Sequence, residues 1–168
     1  IFSKADMVTR AYARGVPMGG DLASRGAQSP EFLVWVMRDP ASNALQRAQI
    51  VKGWIDADGN TQEAVFDVAC AGGAAVNTET QRCPENNAEV DVATCATQAD
   101  TGADELRAVW RDPTYVAGES AAYYARGLEN PTCRWSSWDA LRAGSSPNPT
   151  LPATIQERVW SSPIWIEN

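Results

Sequence analysis

Histidine is missing altogether from this 168-residue chain. Its absence excludes Ser-His-Asp and Cys-His catalysis, a histidine general base and histidine-ligated metals. Basic residues are in deficit as well: 14 Lys and Arg stand against 21 Asp and Glu, a net charge of −7. A chain of that sign is not drawn to nucleic acid or to an anionic membrane, so neither is expected as a partner. No apolar run approaches the roughly 20 residues that cross a bilayer, so membrane insertion is not expected. The first residues do not read as a basic-then-apolar export signal. Cysteines are few, and no two form a C-x-x-C pair, which disfavours a zinc ribbon or a thioredoxin-like site. No serine occupies a G-x-S-x-G elbow.

What is present suits one globular domain: 44% hydrophobic and 21% charged residues, both near the average for folded proteins. The sequence starts at Ile1 without an initiator Met, and we read it as a piece of a larger protein, whose catalytic centre could then lie outside this chain. The four cysteines, Cys70, Cys83, Cys95 and Cys133, fall largely in Gly-, Asn- and Thr-rich sequence that seldom hides free thiols. An even number of them favours two disulfides and an oxidising compartment, periplasmic or extracellular. Three pairings are open. A short loop such as Cys83 to Cys95 would contribute about 3 kcal/mol in the chain-entropy picture.

Along the chain, 1–30 reads as a lead-in segment with a short helix at 3–14 and Gly-rich coil after it, and 31–168 as a single β-sandwich domain. Phe32 to Met37 is an unbroken apolar run stopped by Asp39-Pro40, which predicts a strand buried on both faces. Ala48–Ile55 and Gln62–Cys70 flank Asp56-Ala57-Asp58-Gly59-Asn60-Thr61, a hairpin signature. In the second run Ala64, Phe66, Val68 and Cys70 share one face, and Glu63, Val65 and Asp67 the other. Residues 71–104 show no period and read as a long loop held by covalent ties. Further strands are expected at Glu105–Trp110, Ala121–Leu128 and Arg158–Ile166, the last interrupted by Pro163. A turn or two of helix is expected at Ser136–Arg142, capped by Ser136 or Ser137. About six strands with little helix predict an all-β fold, an immunoglobulin-like β-sandwich with long irregular loops.

The chemistry-bearing patterns are thin. Asp56 to Asn60 is similar to the opening of an EF-hand loop, but its sixth position is Thr61, its twelfth is Asp67 and its flanks are strands, so a plain turn is the better reading. Gly15-Val16-Pro17-Met18-Gly19-Gly20-Asp21 offers backbone N–H groups to an anion, yet lacks the strand-to-helix setting of a phosphate loop. Of seven tryptophans, Trp35, Trp54, Trp110 and Trp160 sit in strand patterns and are expected in the core. Trp135, Trp138 and Trp165 are the candidates for a surface that stacks on sugar rings. Adjacent acids such as Asp104-Glu105 cannot face each other across a cleft as glycoside hydrolysis requires. No catalytic residue and no metal ligand is nominated. The nominated substrate-binding residues are Gly19, Gly20, Asp21, Trp135 and Trp138.

Six stretches occur in order along nearly the whole chain. They are Tyr12-Ala13-Arg14-Gly15-Val16-Pro17-Met18-Gly19-Gly20-Asp21-Leu22, Gln49-Ile50-Val51-Lys52-Gly53-Trp54 and Val109-Trp110-Arg111-Asp112-Pro113, followed by Tyr123-Tyr124-Ala125-Arg126, Asn130-Pro131-Thr132-Cys133-Arg134-Trp135 and Ile155 to Trp165. Together they resemble the C-terminal part of a large, mostly bacterial family filed as domain of unknown function 3604, in a cysteine-bearing subgroup. The resemblance implies a longer, exported, hydrolase-like protein. Its N-terminal region would be similar to the polymerase-and-histidinol-phosphatase superfamily of metal-dependent phosphoesterases. A divalent metal would then belong to that region, with no cofactor in the present chain. The expected role is to brace the N-terminal catalytic domain of the same protein, which predicts an uncovered apolar surface here. The alternatives are an autonomous carbohydrate- or ligand-binding module and a structural piece that forms homo-oligomers.

Overall fold

Two β-patterned runs around an Asp-Gly turn should pair, and they form the centre of the molecule. The computed structural model describes residue 2, residues 4–23 and residues 26–167. In chain order the elements are α1 (Met7–Arg14), β1 (Asp21–Ala23), β2 (Glu31–Met37), β3 (Leu45–Ile55), β4 (Thr61–Cys70), β5 (Val90–Asp91) and β6 (Ala96–Thr97). They continue with β7 (Glu105–Arg111), β8 (Ala121–Glu129), β9 (Thr132–Cys133), α2 (Trp135–Arg142), β10 (Thr154–Ile155), β11 (Arg158–Trp160) and β12 (Ile164–Glu167). The fold is all-β and sandwich-like, with two short helices among the described residues.

The β3–β4 hairpin turns at Asp56, whose carboxylate accepts the N–H groups of Asp58 and Asn60 and the Gln62 amide. These bonds hold the carboxyl below its usual range, the Asn60 N–H and the Gln62 amide contributing most. The turn aspartate closes the hairpin upon itself. The large sheet is ordered β1-β12-β8-β3-β4, with β11 following β8 in tandem with β12. Only β1–β12 pair in parallel. Over one face of this sheet lies a small antiparallel sheet of β2 and β7. Between the layers sit Phe32 and Val34, Leu106 and Ala108, Ala48 and Ile50, Ala121 and Tyr123, and Ile166.

Segment 71–104 is irregular apart from one turn of 3-10 helix at Ala71–Gly73 and the β5–β6 pair. Disulfides Cys70–Cys83 and Cys95–Cys133 tie it to the end of β4 and to β9. Side-chain amides add to those ties: Gln46 donates to Asn86, Asn86 to Asn130, and Asn130 to the Thr101 carbonyl. Gly102 has φ +111, and a Cβ there would stand 2.4 Å from Ala44 Cβ, so only glycine lets the loop close on β3.

Several expectations need correction. Cys83 pairs with Cys70, leaving no Cys83–Cys95 loop. Strand β2 is covered on one side only: Phe32 and Val34 are buried while Leu33, Trp35 and Met37 are exposed. A continuous apolar run thus lies in the outer layer of a two-layer fold, where Phe2 and Arg107 pack against Trp35 while Leu33 and Met37 stay exposed. For the same reason Trp35 is 45% exposed, and Trp160 stands out from β11; Trp54 and Trp110 do pack on the core. The segment after the first helix is not all coil, since Asp21–Ala23 adds to the sheet edge through β12. The first helix begins at Met7; Ser3, its expected first residue, lies outside the described residues, as do Ile1, Ser24, Arg25 and Asn168 of the two assigned regions. Helix α2 starts after Arg134, so neither Ser136 nor Ser137 caps it; the Ser137 hydroxyl instead donates to the Ala153 carbonyl. The final strand is split at Ser161–Pro163, where a chain lacking the proline N–H leaves the ladder and re-enters it.

Candidate functional site

A cleft of about 900 Å³ lies between α1 with its following loop, the edge of β2, and the β8–β11–β12 side of the large sheet. Its walls are mostly apolar: Val16, Pro17, Leu22, Val36, Val159 and Ile164. Lys4, Arg10, Arg14 and Arg111 lie around it, with Glu31 the one acidic residue of the lining. Arg111 is paired to Glu31 and Arg10 to Asp6, at 2.8 and 3.9 Å. A chain of net negative charge therefore presents a basic rim at this cleft. Helix α1 flanks the cleft with no buried residue of its own, and Val8, Tyr12 and the nearby Met18 are exposed.

The Gly-rich loop sits beside this cleft but has committed its N–H groups. Gly19 N–H donates to the Pro163 carbonyl at 2.8 Å and Gly20 N–H to the Pro17 carbonyl at 3.1 Å, while Gly20 C=O accepts from Trp165 N–H. Both of these glycine N–H groups are thus spent within the fold rather than free for an anion. Asp21 is exposed at the start of β1, directly across from Trp165 in the β1–β12 ladder, and Trp165 is half-exposed. Trp135 and Trp138 lie on α2, outside the cleft lining, with the Arg142 guanidinium 5.4 Å over the Trp138 ring. The structure thus brings Gly19, Gly20, Asp21 and Trp165 together and leaves Trp135 and Trp138 apart.

Two buried charge clusters escaped the sequence reading. Lys52 is 1% exposed, its Nζ 3.0 Å from Asp112 Oδ2, 3.0 Å from Glu119 Oε1 and 3.2 Å from the Thr114 carbonyl it donates to. The Trp54 ring faces the ammonium at 4.7 Å. Asp112 also accepts the Tyr123 hydroxyl and the N–H and hydroxyl of Thr114, each at 2.7 Å. Burial opposes the charged form of Asp112, but these hydrogen bonds outweigh it and hold the carboxyl below its usual range. Burial and the neighbouring Asp112 push the Tyr123 phenol far up. The signal was there to read: Lys52 alternates with Ile50 and Trp54 on one face of a strand.

On the opposite face of β3, the fully buried Asp67 carboxylate accepts from Gln49 Nε2 at 2.6 Å, the Cys83 N–H at 2.7 Å and Arg47 at 3.2 Å. Its position opposite the Phe66 face was legible. Its burial follows from segment 81–83 folding over it, which no periodicity announces. Both clusters are internally satisfied and are structural cross-links between layers and loops. Among the described residues, no group of three or more His, Cys, Asp or Glu side chains is placed to hold a metal ion, and no helix is long and apolar enough to cross a membrane.

The candidate functional surface is the apolar, basic-rimmed cleft together with the exposed side chains of α1 and β2 beside it. No curated protein and no solved structure matches the chain. A family model described as "Protein of unknown function (DUF3604)" matches residues 1–168, and the chain belongs to that family.

Proposed function

We propose that this chain is the non-catalytic, β-rich region of a longer, exported, hydrolase-like protein, and that it braces a metal-dependent, phosphoesterase-like domain N-terminal to it. The observation that carries this reading is the apolar surface left open on one side. Leu33, Trp35 and Met37 on β2, Tyr12 on α1 and Met18 are all exposed, and all but Tyr12 line the cleft. Soluble surfaces rarely leave such residues contiguous unless something covers them. The two disulfides support an oxidising compartment, periplasmic or extracellular, in which a longer chain could be exported. The divalent metal belongs to the partner domain in this reading.

The test compares this chain with the longer protein. Hydrolysis of p-nitrophenyl phosphate with added manganese is expected from the longer protein and not from the 168 residues alone. Oxidative footprinting is expected to protect Met18, Trp35 and Met37 in the longer protein. Turnover by this chain alone, or equal oxidation of those side chains in both, would overturn the reading. A carbohydrate-binding module is the second reading, favoured by Trp135, 65% exposed, and Trp138 three residues on along α2. Calorimetry against soluble glycans, repeated on Trp135→Ala, decides it.

A further inference from the structure

The β2 edge facing the cleft is unpaired, and its phase can be read from one hydrogen bond. Arg38 N–H donates to the Asp104 carbonyl at 3.0 Å, one step beyond the Met37–Glu105 pair. In an antiparallel ladder bonded residues alternate, so Phe32, Val34 and Val36 bond across to β7. Leu33, Trp35 and Met37 then aim their N–H and C=O groups away from β7, and no described residue bonds them. All seven residues of β2 line the cleft.

Natural sheet edges are normally guarded by charge, proline, bulges or covering chain. Two other edges here follow that rule. On β4 the Asp67 N–H bonds the Gln81 carbonyl and Arg82 reaches the Val65 carbonyl. On β7 the outward side chains include Glu105, Arg107 and Arg111. Strand β2 runs seven residues in unbroken register, without internal proline or bulge, and its outward side chains include the apolar Leu33, Trp35 and Met37. This is the composition of a strand that has a neighbour. The floor of the cleft is also close-packed: a Cβ on Gly127 would lie 2.7 Å from Val36 Cγ1 and 3.0 Å from Val159 Cγ1. An occupant must therefore run along the edge of β2 rather than insert beneath it.

We infer that β2 is completed by strand addition, the occupant being an extended segment of the polypeptide N-terminal to Phe2 in the longer protein; this rests on the docking reading above. Phe2 locates the delivery point. Its ring packs edge-on against Trp35 with centroids 6.2 Å apart, and the Arg107 guanidinium lies 6.0 Å over Phe2 and 4.1 Å over Trp35. The start of the described chain thus lies on the outer face of the β2–β7 sheet. Charge adds a second specification, because Lys4 and Arg14 at the cleft have no ion-pair partner among the described residues. The added strand carries acidic residues toward that rim and alternating apolar ones toward Leu33 and Trp35. Main-chain bonding supplies affinity and the side-chain pockets supply register, as in other β-augmentation complexes.

Amide hydrogen exchange on this chain and on the longer protein tests the inference. In the isolated chain, Val34 and Val36 amides exchange slowly and those of Leu33, Trp35 and Met37 quickly. In the longer protein the latter three slow by about 100-fold or more. If the side chains of Trp35 and Met37 become protected from oxidation while the three amides stay fast, strand addition is wrong and docking stands. If neither is protected, both readings fall. Slowing that grows with concentration in the isolated chain would identify a second copy as occupant and overturn the assignment. Leu33→Pro, which deletes one outward N–H without touching the β7 ladder, is expected to abolish the protection that Leu33→Ala retains.

Discussion

Replacing Asp112 by alanine removes the more buried of the two carboxylates that answer a fully buried lysine. In Asp112→Ala, the Lys52 ammonium keeps Glu119 at 3.0 Å and the Thr114 carbonyl at 3.2 Å but loses its most buried counter-charge. Tyr123, 2% exposed, is left with a hydroxyl that has lost its acceptor. Breaking a buried ion pair from one side costs about 3–5 kcal/mol, and an orphaned hydroxyl about 1–3 kcal/mol, though the two overlap. We expect a net loss of about 4 kcal/mol, which lowers Tm by roughly 10 °C in a domain of this size. Lys52→Met is expected to cost markedly less. Asp112 keeps its Tyr123 and Thr114 donors, the partly exposed Glu119 turns to water, and the methionine fills similar volume.

The pH arm has a definite sign. The folded carboxyl of Asp112 sits below its ordinary value of 3.8, so the unfolded chain binds the proton more readily. The contribution is fully present above about pH 4–5 and drains away as pH falls through the folded pKa. Urea unfolding with the disulfides intact, followed by tryptophan fluorescence at pH 7 and at pH 3, measures both effects. A loss under 1 kcal/mol for Asp112→Ala, or equal losses for the two variants, would refute the asymmetry. So would an unchanged acid slope in Asp112→Ala.

The disulfides should act unequally. Removing Cys95–Cys133, which spans 38 residues, should cost about 4 kcal/mol, and removing Cys70–Cys83, which spans 13, about 3 kcal/mol; paired Cys→Ala variants in urea rank them. Gly102→Ala meets both a positive φ and Ala44 Cβ at 2.4 Å, and is expected to lose 3 kcal/mol or about that by thermal melting. Tyr123 should remain protonated in the folded state well above its ordinary pKa of 10, its share of stability being full below that pH and lost as pH climbs past it. Alkaline absorbance titration of wild type and Tyr123→Phe should differ by one late-ionising phenol that appears only with unfolding.

Much of the architecture was legible because strands and turns announce themselves locally. The Asp56 turn and its flanking runs gave the hairpin, the Asp112-Pro113 stop bounded β7, and Tyr123-Tyr124 marked β8. The reading erred on β2, since Phe32 to Met37 carries the apolar run of a strand covered on both faces. The apolar run does not reveal which layer it lies in: Trp35 meets Phe2 and Arg107 on the outer face, and Leu33 and Met37 stay exposed. Lys52, Asp67 and Asp112 were passed over because isolated charges in strand patterns default to the solvent face. Their charged partners stand 15 or more residues away: Asp67 meets Arg47 from a facing strand, and Lys52 meets Asp112 from the other layer.

The residue pattern by itself determined a β-rich, cysteine-bearing chain without histidine chemistry, because composition and alternation depend only on neighbours along the backbone. Which cysteines pair, which tryptophans stand exposed, which charges are buried and which strand edge is open were decided by the tertiary structure. Those depend on how layers and loops meet across long separations, and alternation names the residues that share a face without naming what lies over it.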